Sequence, residues 1–414
     1  MKKLILMALL SSNIAIAAPS ADIAILLDTS GSMQGLINQV RDGLWQTLNN
    51  LGEIKKDGEV AELKLALFEY GSGIVPAEAN FMQMLSPLTT DHTVIAEKLF
   101  ATKASGSQEY SGQAIQLAAD SLDFSSLLDD FKSIVIAGNE TIKQGSVDAL
   151  EAALAAKEQD ILVNTIFAGA QTIQVFPNGG GTWGGGFGCR TRFCPTPIPA
   201  PVPAPAPAPA PEPEFKPNTI YLEWKELAKV GGGESLNIDA NNAVKHIESP
   251  FDDKIILLTE EVNKTYLPYG ATGASEYTRM LTLDRQIRSS GNGSYMGWGG
   301  YRDGNFGAHT QLNWDLVTAS EDPNFDLSAI SEEHLPEQLK GKTLAEKKAL
   351  IKVQSEKRKA LKEEIADLQK KRKVYVAEQR QQQNQEEEKD FAAAFHQIIL
   401  KQLAAKGFQV KTAE

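Results

Sequence analysis

The sequence predicts an α/β fold, a doubly wound, mostly parallel sheet with a C-terminal helical region after it. Three observations carry that expectation. Short apolar runs alternate with helix-period stretches from residue 21 onward, a Ser/Gly turn joins the first run to the first helix, and long charged segments replace the alternation near the end. Strands and helices alternating in this way build β-α-β units, which assemble into a parallel sheet covered on both faces.

Residues 23–27 form a buried strand, and Leu36, Ile37, Val40, Leu44 and Leu48 then recur at helical spacing. Residues 63–70 and 81–85 read as strands, with Gly71-Ser72-Gly73 as the turn between them. A helix at 95–101 and another through Ile115, Leu117, Ala118 and Leu122 lead to a strand at 133–137, a helix at 147–157 and a strand at 161–168. The rhythm then breaks. Residues 178–188 are glycine-rich and 195–217 carry an Ala-Pro repeat, a composition that favours extended polyproline II over a packed core. Helix 221–230, strand 235–239 and helix 250–265 follow, so residues 170–218 are an insertion within one domain spanning 20–269.

Residues 270–340, rich in Gly, Trp and Tyr, are expected to be irregular, and 341–408 to be charged and helical. In the long helix, Leu344, Ile351, Leu361, Ile365, Leu368 and Tyr375 fall at heptad-like steps that Arg358 and Arg372 interrupt. A single helix, a helical hairpin and a homodimer through these coiled-coil-like helices all stay open. Phe391, Phe395, Ile398, Ile399 and Leu403 share one face of a last helix, which must be buried.

The 414 residues include 41 basic and 53 acidic side chains, a net charge of -12 that repels nucleic acid and anionic membrane. No nucleic-acid partner is expected. Five scattered histidines and two cysteines exclude most zinc frameworks, which need clustered donors. Lys2-Lys3, the apolar run 4–10 and Ala15-Ile16-Ala17 form a signal peptide over residues 1–17. The mature chain, with no transmembrane segment, is expected to be periplasmic or secreted. In that oxidising setting Cys189 and Cys194 are expected to form a disulfide pinning a small loop of the insertion.

The chemistry lies at Asp28-Thr29-Ser30-Gly31-Ser32-Met33, directly after the first strand and at the opening of the first helix. Asp28, Ser30 and Ser32 place three oxygen donors in one tight turn at the carboxyl edge of the sheet, a set suited to Mg²⁺, Mn²⁺ or Ca²⁺. A helix cap made of the same residue types is the alternative.

This motif resembles the metal-ion-dependent adhesion site of von Willebrand factor A domains, the fold of integrin inserted domains, over residues 21–269. Residues 105–112 (SGSQEYSG), 136–140 (IAGNE) and 263–270 (NKTYLPYG) are similar to exported bacterial members of that family. The resemblance implies two further ligand loops, one offering a threonine and the other an aspartate. Here Glu109 stands in the first, in Ser107-Gln108-Glu109-Tyr110-Ser111, and Asn139 or Glu140 in the second. The site it implies is Asp28, Ser30, Ser32, Glu109 and Asn139, with Glu140 as an additional ligand, around Mg²⁺ or else Ca²⁺ or Mn²⁺. A bound Glu109 gives the metal more charge than a threonine does, and weakens its pull on an acidic group of a partner.

The function expected is a non-enzymatic binding or adhesion module with a protein partner in the cell envelope. A metal-assisted envelope hydrolase and a metal-free scaffold are the alternatives. Gly179, Gly181 and Gly184 match a dinucleotide fingerprint by spacing but precede no helix, and no nucleotide-loop, zinc-protease or nucleophile-elbow motif occurs. The cluster Tyr295, Trp298, Tyr301, Phe306 and Trp314 reads as packing anchors, with a carbohydrate or peptide surface as the alternative.

Overall fold

In the computed structural model, the described residues are 18–51, 53–175, 214–240, 247–303, 314–382 and 390–411. The expected signal peptide, both cysteines, Phe306 and the glycine and proline tracts of the insertion lie outside them. The chain runs β1 (Ser20–Asp28), α1 (Gln34–Leu51), β2 (Glu53–Lys56), β3 (Glu59–Val60), β4 (Glu62–Tyr70), β5 (Gln83–Thr89), α2 (His92–Ala101) and α3 (Ser111–Ser121). It continues through β6 (Phe131–Gly138), α4 (Ala149–Glu158), β7 (Leu162–Phe167), β8 (Thr172–Val175), β9 (Glu214–Pro217), α5 (Thr219–Val230), β10 (Gly232–Asn237) and α6 (Asp252–Asn263). Last come α7 (Gly273–Ser290), α8 (Asn292–Asp303), α9 (Leu316–Ala319), α10 (Leu344–Gln382), α11 (Phe391–Ala405) and β11 (Gln409–Lys411).

The main sheet has the order β10-β7-β6-β1-β4-β5. All neighbours are parallel except the edge pair β4/β5. Every residue of β1 is buried, and its side chains alternate between two cores. Ala21, Ile23, Ile25 and Leu27 face α1, α2, α8 and α11, whereas Ala24 and Leu26 face α3, α4 and α5. The expected doubly wound fold is therefore the observed one. Strand β5 starts at Gln83 rather than 81, because Asn80 and Phe81 both take a positive φ (54° and 57°) that no strand accommodates.

Two expectations are corrected beyond residue 269. The stretch 270–340 is not irregular throughout, since α7 and α8 occupy much of it. The glycines at 297, 299 and 300 argue against a helix on propensity, and tertiary packing overrides that preference. A Cβ at Gly297 would sit 3.5 Å from the Asp42 carbonyl oxygen of α1, an ordinary contact distance, so α8 lies directly against α1 there. The aromatics of this region are anchors: Tyr295, Trp298, Tyr301 and Trp314 are all buried, and Trp298 meets Trp45 of α1 edge-on with centroids 5.0 Å apart.

The expected C-terminal helical region is present, and its last helix buries its apolar face in the sheet core. Phe391, Phe395, Ile398, Ile399 and Leu403 of α11 are fully buried in the same core as β1 and α1. Gly43 of α1 faces α11 so closely that a Cβ there would lie 2.5 Å from that of Ala392. Gln402 Nε2 of α11 donates to Asn164 Oδ1 of β7 at 2.7 Å. In α10, Arg358 does not interrupt a seam; it sits at the heptad step between the buried Ile351 and Ile365 and pairs with Asp315 at 2.7 Å. Arg372, two heptads on, pairs with Asp252 of α6 at 2.8 Å. This stripe packs within the chain. Among the described residues, no helix is long and apolar enough to cross a membrane.

Candidate metal centre

Counted along the chain, the six strands of the main sheet place the order reversal between β1 and β6. Ligands of open α/β sheets bind at the carboxyl end of such a switch point. Asp28 ends β1 and Gly138 ends β6, so the predicted turn and the loop with Asn139 meet there. Two more loop segments, 70–73 and 105–106, are tied to the turn through the backbone. Thr29 N donates to Tyr70 O (2.9 Å), Ser105 N to Thr29 O (2.7 Å), Gly31 N to Gly106 O (3.0 Å) and Gly73 N to Ser105 O (2.9 Å).

Gly71 is the hinge of this assembly. Its φ of +76° suits glycine, and a Cβ on it would lie 3.0 Å from Glu109 Cγ, 3.1 Å from Asp28 Oδ1 and 3.4 Å from Ser30 Cβ. These three side chains, distant in sequence, therefore converge on one point. Asp28 Oδ1 accepts from Ser30 N at 2.8 Å. Asp28 Oδ2, Ser30 Oγ, Glu109 Oε2 and Asn139 Oδ1 are buried and have no hydrogen-bond partner. Among the described residues, no Lys or Arg forms an ion pair with either carboxyl.

Burial pushes the Asp28 carboxyl well above the usual carboxylate range, and the charge of Glu109 pushes it further. Burial likewise raises Glu109; Ser30 opposes the shift and the charge of Glu140 adds to it. Beneath them the Tyr70 hydroxyl donates to Ala137 O at 3.0 Å, and burial and the two carboxyls hold it protonated. Two buried carboxyls with unpaired oxygens and no counter-charge form an arrangement that a cation would relieve.

The structure thus brings Asp28, Ser30 and Glu109 together. The residue before Asn139 adjoins them, since a Cβ on Gly138 would lie 3.0 Å from Asp28 Oδ2. Ser32 is exposed in the same turn. Glu140 is exposed too, and its carbonyl accepts from Trp224 Nε1 of α5 at 2.8 Å. No group of three or more His, Cys, Asp or Glu forms among the described residues, so a cation here takes most of its ligands from hydroxyls, amide oxygen and water. Ser72 and Ser105 carry further buried hydroxyls without partners, the first in a segment read only as a turn and the second in the 105–112 stretch, where neither was named as a ligand. For Ser72 the available signal was a serine between two glycines just past the end of a parallel strand. The insertion leaves from the same edge, where β8 and β9 pair as its antiparallel stem just past β7.

An open, doubly wound sheet with an oxygen-rich turn at its switch point defines the class of domain. More narrowly, the strand order and the Asp-x-Ser-x-Ser turn that opens the first helix resemble those of a von Willebrand factor A domain. No family model matches the sequence, and no curated relative does. Among solved structures the chain is similar to BatB from Bacteroides thetaiotaomicron, at 15% identity over 64% of this chain and 99% of that one, with a TM-score of 0.33. It is also similar to an aerotolerance-related membrane protein from Bacteroides fragilis, at 20% identity over 54% and 94% of the two chains, TM-score 0.31. A third is proximal thread matrix protein 1 from the mussel byssus, with a zinc-occupied MIDAS motif, at 12% identity over 37% of each chain, TM-score 0.29. Strand order and the turn after β1, not these partial overlaps, define the class.

Proposed function

We propose that the chain is an exported, non-enzymatic binding module of the cell envelope, whose cation-bearing edge recognises a protein partner. Asp28, Ser30, Ser32, Glu109 and Asn139 would hold a divalent cation, Mg²⁺ or else Ca²⁺ or Mn²⁺, with Glu140 near enough to act through its charge. The cation would supply the counter-charge that Asp28 and Glu109 lack and would fix the loops that carry them. One observation supports this reading above the rest: four buried oxygens of the predicted ligands have no partner in the protein.

Thermal unfolding of the mature protein, first chelated and then titrated with each cation, tests the metal. A saturable rise in Tm that Asp28→Ala abolishes is expected, because a ligand selective for the folded state stabilises it. A flat response to all three cations overturns the cation site. Cross-linking to envelope proteins with cation, with chelator and with Asp28→Ala tests the partner. A product present only in the first condition is expected, and products indifferent to all three overturn the binding edge.

A further inference from the structure

We infer that Glu109 is a resident ligand that closes the centre, so that the cation is held without an acidic group from a partner and the partner reads the neutral positions of the loops around it. This rests on the proposed cation site and says what kind of site it is.

Glu109 is only 6% exposed and Asp28 is fully buried, and both lie against the same face of Gly71. Glu109 is fixed in place. Its N–H donates to Gln144 Oε1 at 3.2 Å, and its carbonyl accepts from Ser111 N at 3.1 Å where α3 begins. Its Oε2 is unpartnered, as are Asp28 Oδ2 and the Ser30 hydroxyl, the latter on a residue 1% exposed. These are oxygens held ready on a rigid frame, not a charged cluster open to water.

Charge then settles what else the centre accepts. Two carboxylates match the charge of one divalent cation, which leaves no net attraction for a third. Exposed Glu140, whose charge already acts on Glu109, adds repulsion at the rim. Among the other exposed positions of the joined loops, Ser32, Gly73, Ile74, Ser107 and Gln108 are neutral, with Ile74 74% exposed, whereas Glu78, Lys103 and Lys143 carry charge of both signs. A partner suited to the neutral positions offers uncharged hydrogen-bonding groups and an apolar contact, not a carboxylate.

Mn²⁺ is the probe, and water-proton relaxation reads how many exchangeable waters it keeps when bound. The wild-type centre is expected to keep few waters and to ignore added acetate. Glu109→Thr is expected to bind Mn²⁺ about tenfold more weakly or worse, and to gain at least one water that acetate displaces. Glu109→Gln, which keeps the packing, is expected to show the same loss of affinity. Acetate entering the wild-type centre, or both variants matching wild type in affinity and hydration, overturns the resident-ligand role. If wild type binds no Mn²⁺, the cation site itself falls; if binding depends on Asp28 but not on Glu109, only this inference falls.

Discussion

Strand β1 carries two fully buried aspartates, one near each end, and they are treated in opposite ways. At the amino edge Asp22 is saturated: Oδ1 takes the Ser20 hydroxyl, Oδ2 takes Ser125 N at 2.8 Å, and Lys64 stands 4.0 Å away. Neighbouring Asp130 is bound too, by Ser20 N at 3.0 Å and the Ser125 hydroxyl. At the carboxyl edge Asp28 has one bonded oxygen, one bare oxygen and a second carboxyl for company. An even number of residues apart, the two sit on one face of the same strand. The chain satisfies a buried carboxylate where it only holds structure together. The unsatisfied one therefore marks a place where something from outside supplies the charge.

The largest expected effect extends the saturated side of this comparison. Arg358 donates to Asp315 Oδ2 (2.7 Å) and Thr265 Oγ1 (2.8 Å) and stacks over Tyr266 at 4.3 Å. Arg358→Leu strands a buried carboxylate and should cost about 3–5 kcal/mol in denaturant unfolding. The loss should be the same with cation or chelator. A cation-dependent loss would mean that the two regions are coupled and the contrast is false.

Next come Asp28→Asn and Asp22→Asn, compared directly. Because its folded-state pKa is raised, Asp28 without a cation gives stability at low pH that is lost as pH rises through that value. Asp28→Asn removes this penalty, so the chelated variant should melt above chelated wild type. It should also lose the cation-induced gain, about 3 kcal/mol at a hundredfold excess over Kd. Asp22→Asn should lower Tm in both conditions and leave the cation gain intact. Matching behaviour of the two variants would erase the distinction.

A third test uses a buried base that is fully satisfied. His92 accepts from the Tyr301 hydroxyl at Nδ1 and donates from Nε2 to Leu63 O at 3.1 Å, and burial pulls its pKa down to about 4. The unfolded chain binds its proton near pH 6.5, so this contribution is complete above that value and is lost as pH falls toward 4. About 2 kcal/mol should be gone by pH 5. His92→Gln should flatten that limb of the pH–stability curve, and an unchanged slope would place the acid sensitivity elsewhere.

The sequence made one side of this comparison far more legible than the other. The β1 strand and the turn after it were readable because strand-turn-helix order is local and fixes which residues face the sheet edge, whereas Glu109 was readable only through the resemblance to von Willebrand factor A domains. Ser72 and Ser105 were not, since their lack of a partner appears only once three loops are zipped together. Helix α8 was hidden because glycines at 297, 299 and 300 lower helix propensity, while the packing of the helix against α1 that stabilises it is tertiary. Arg358 looked like a break in a seam because its partners, Thr265 and Asp315, lie far away in sequence. The contact between Gln402 and Asn164 spans 238 positions, which no local pattern reports.

The smallest effect isolates the comparison in a single hydroxyl. Ser30 Oγ is buried with no partner, whereas Ser125 Oγ donates to Asp130 and accepts from Leu127 N at 3.2 Å. Removing a hydroxyl that makes no bond costs a folded protein almost nothing; removing one that satisfies two groups leaves both exposed to their desolvation penalty. Chelated Ser30→Ala should therefore melt within about 0.5 kcal/mol of wild type, and Ser125→Ala about 1–2 kcal/mol below it. With cation present the ranking should reverse in kind: Ser30→Ala should bind roughly tenfold more weakly, about 1.4 kcal/mol, while Ser125→Ala binds as wild type does. Isothermal titration of both variants reads that difference directly. A Ser30→Ala protein that is destabilised without cation, yet binds it normally, would show that the bare hydroxyl is a structural group after all.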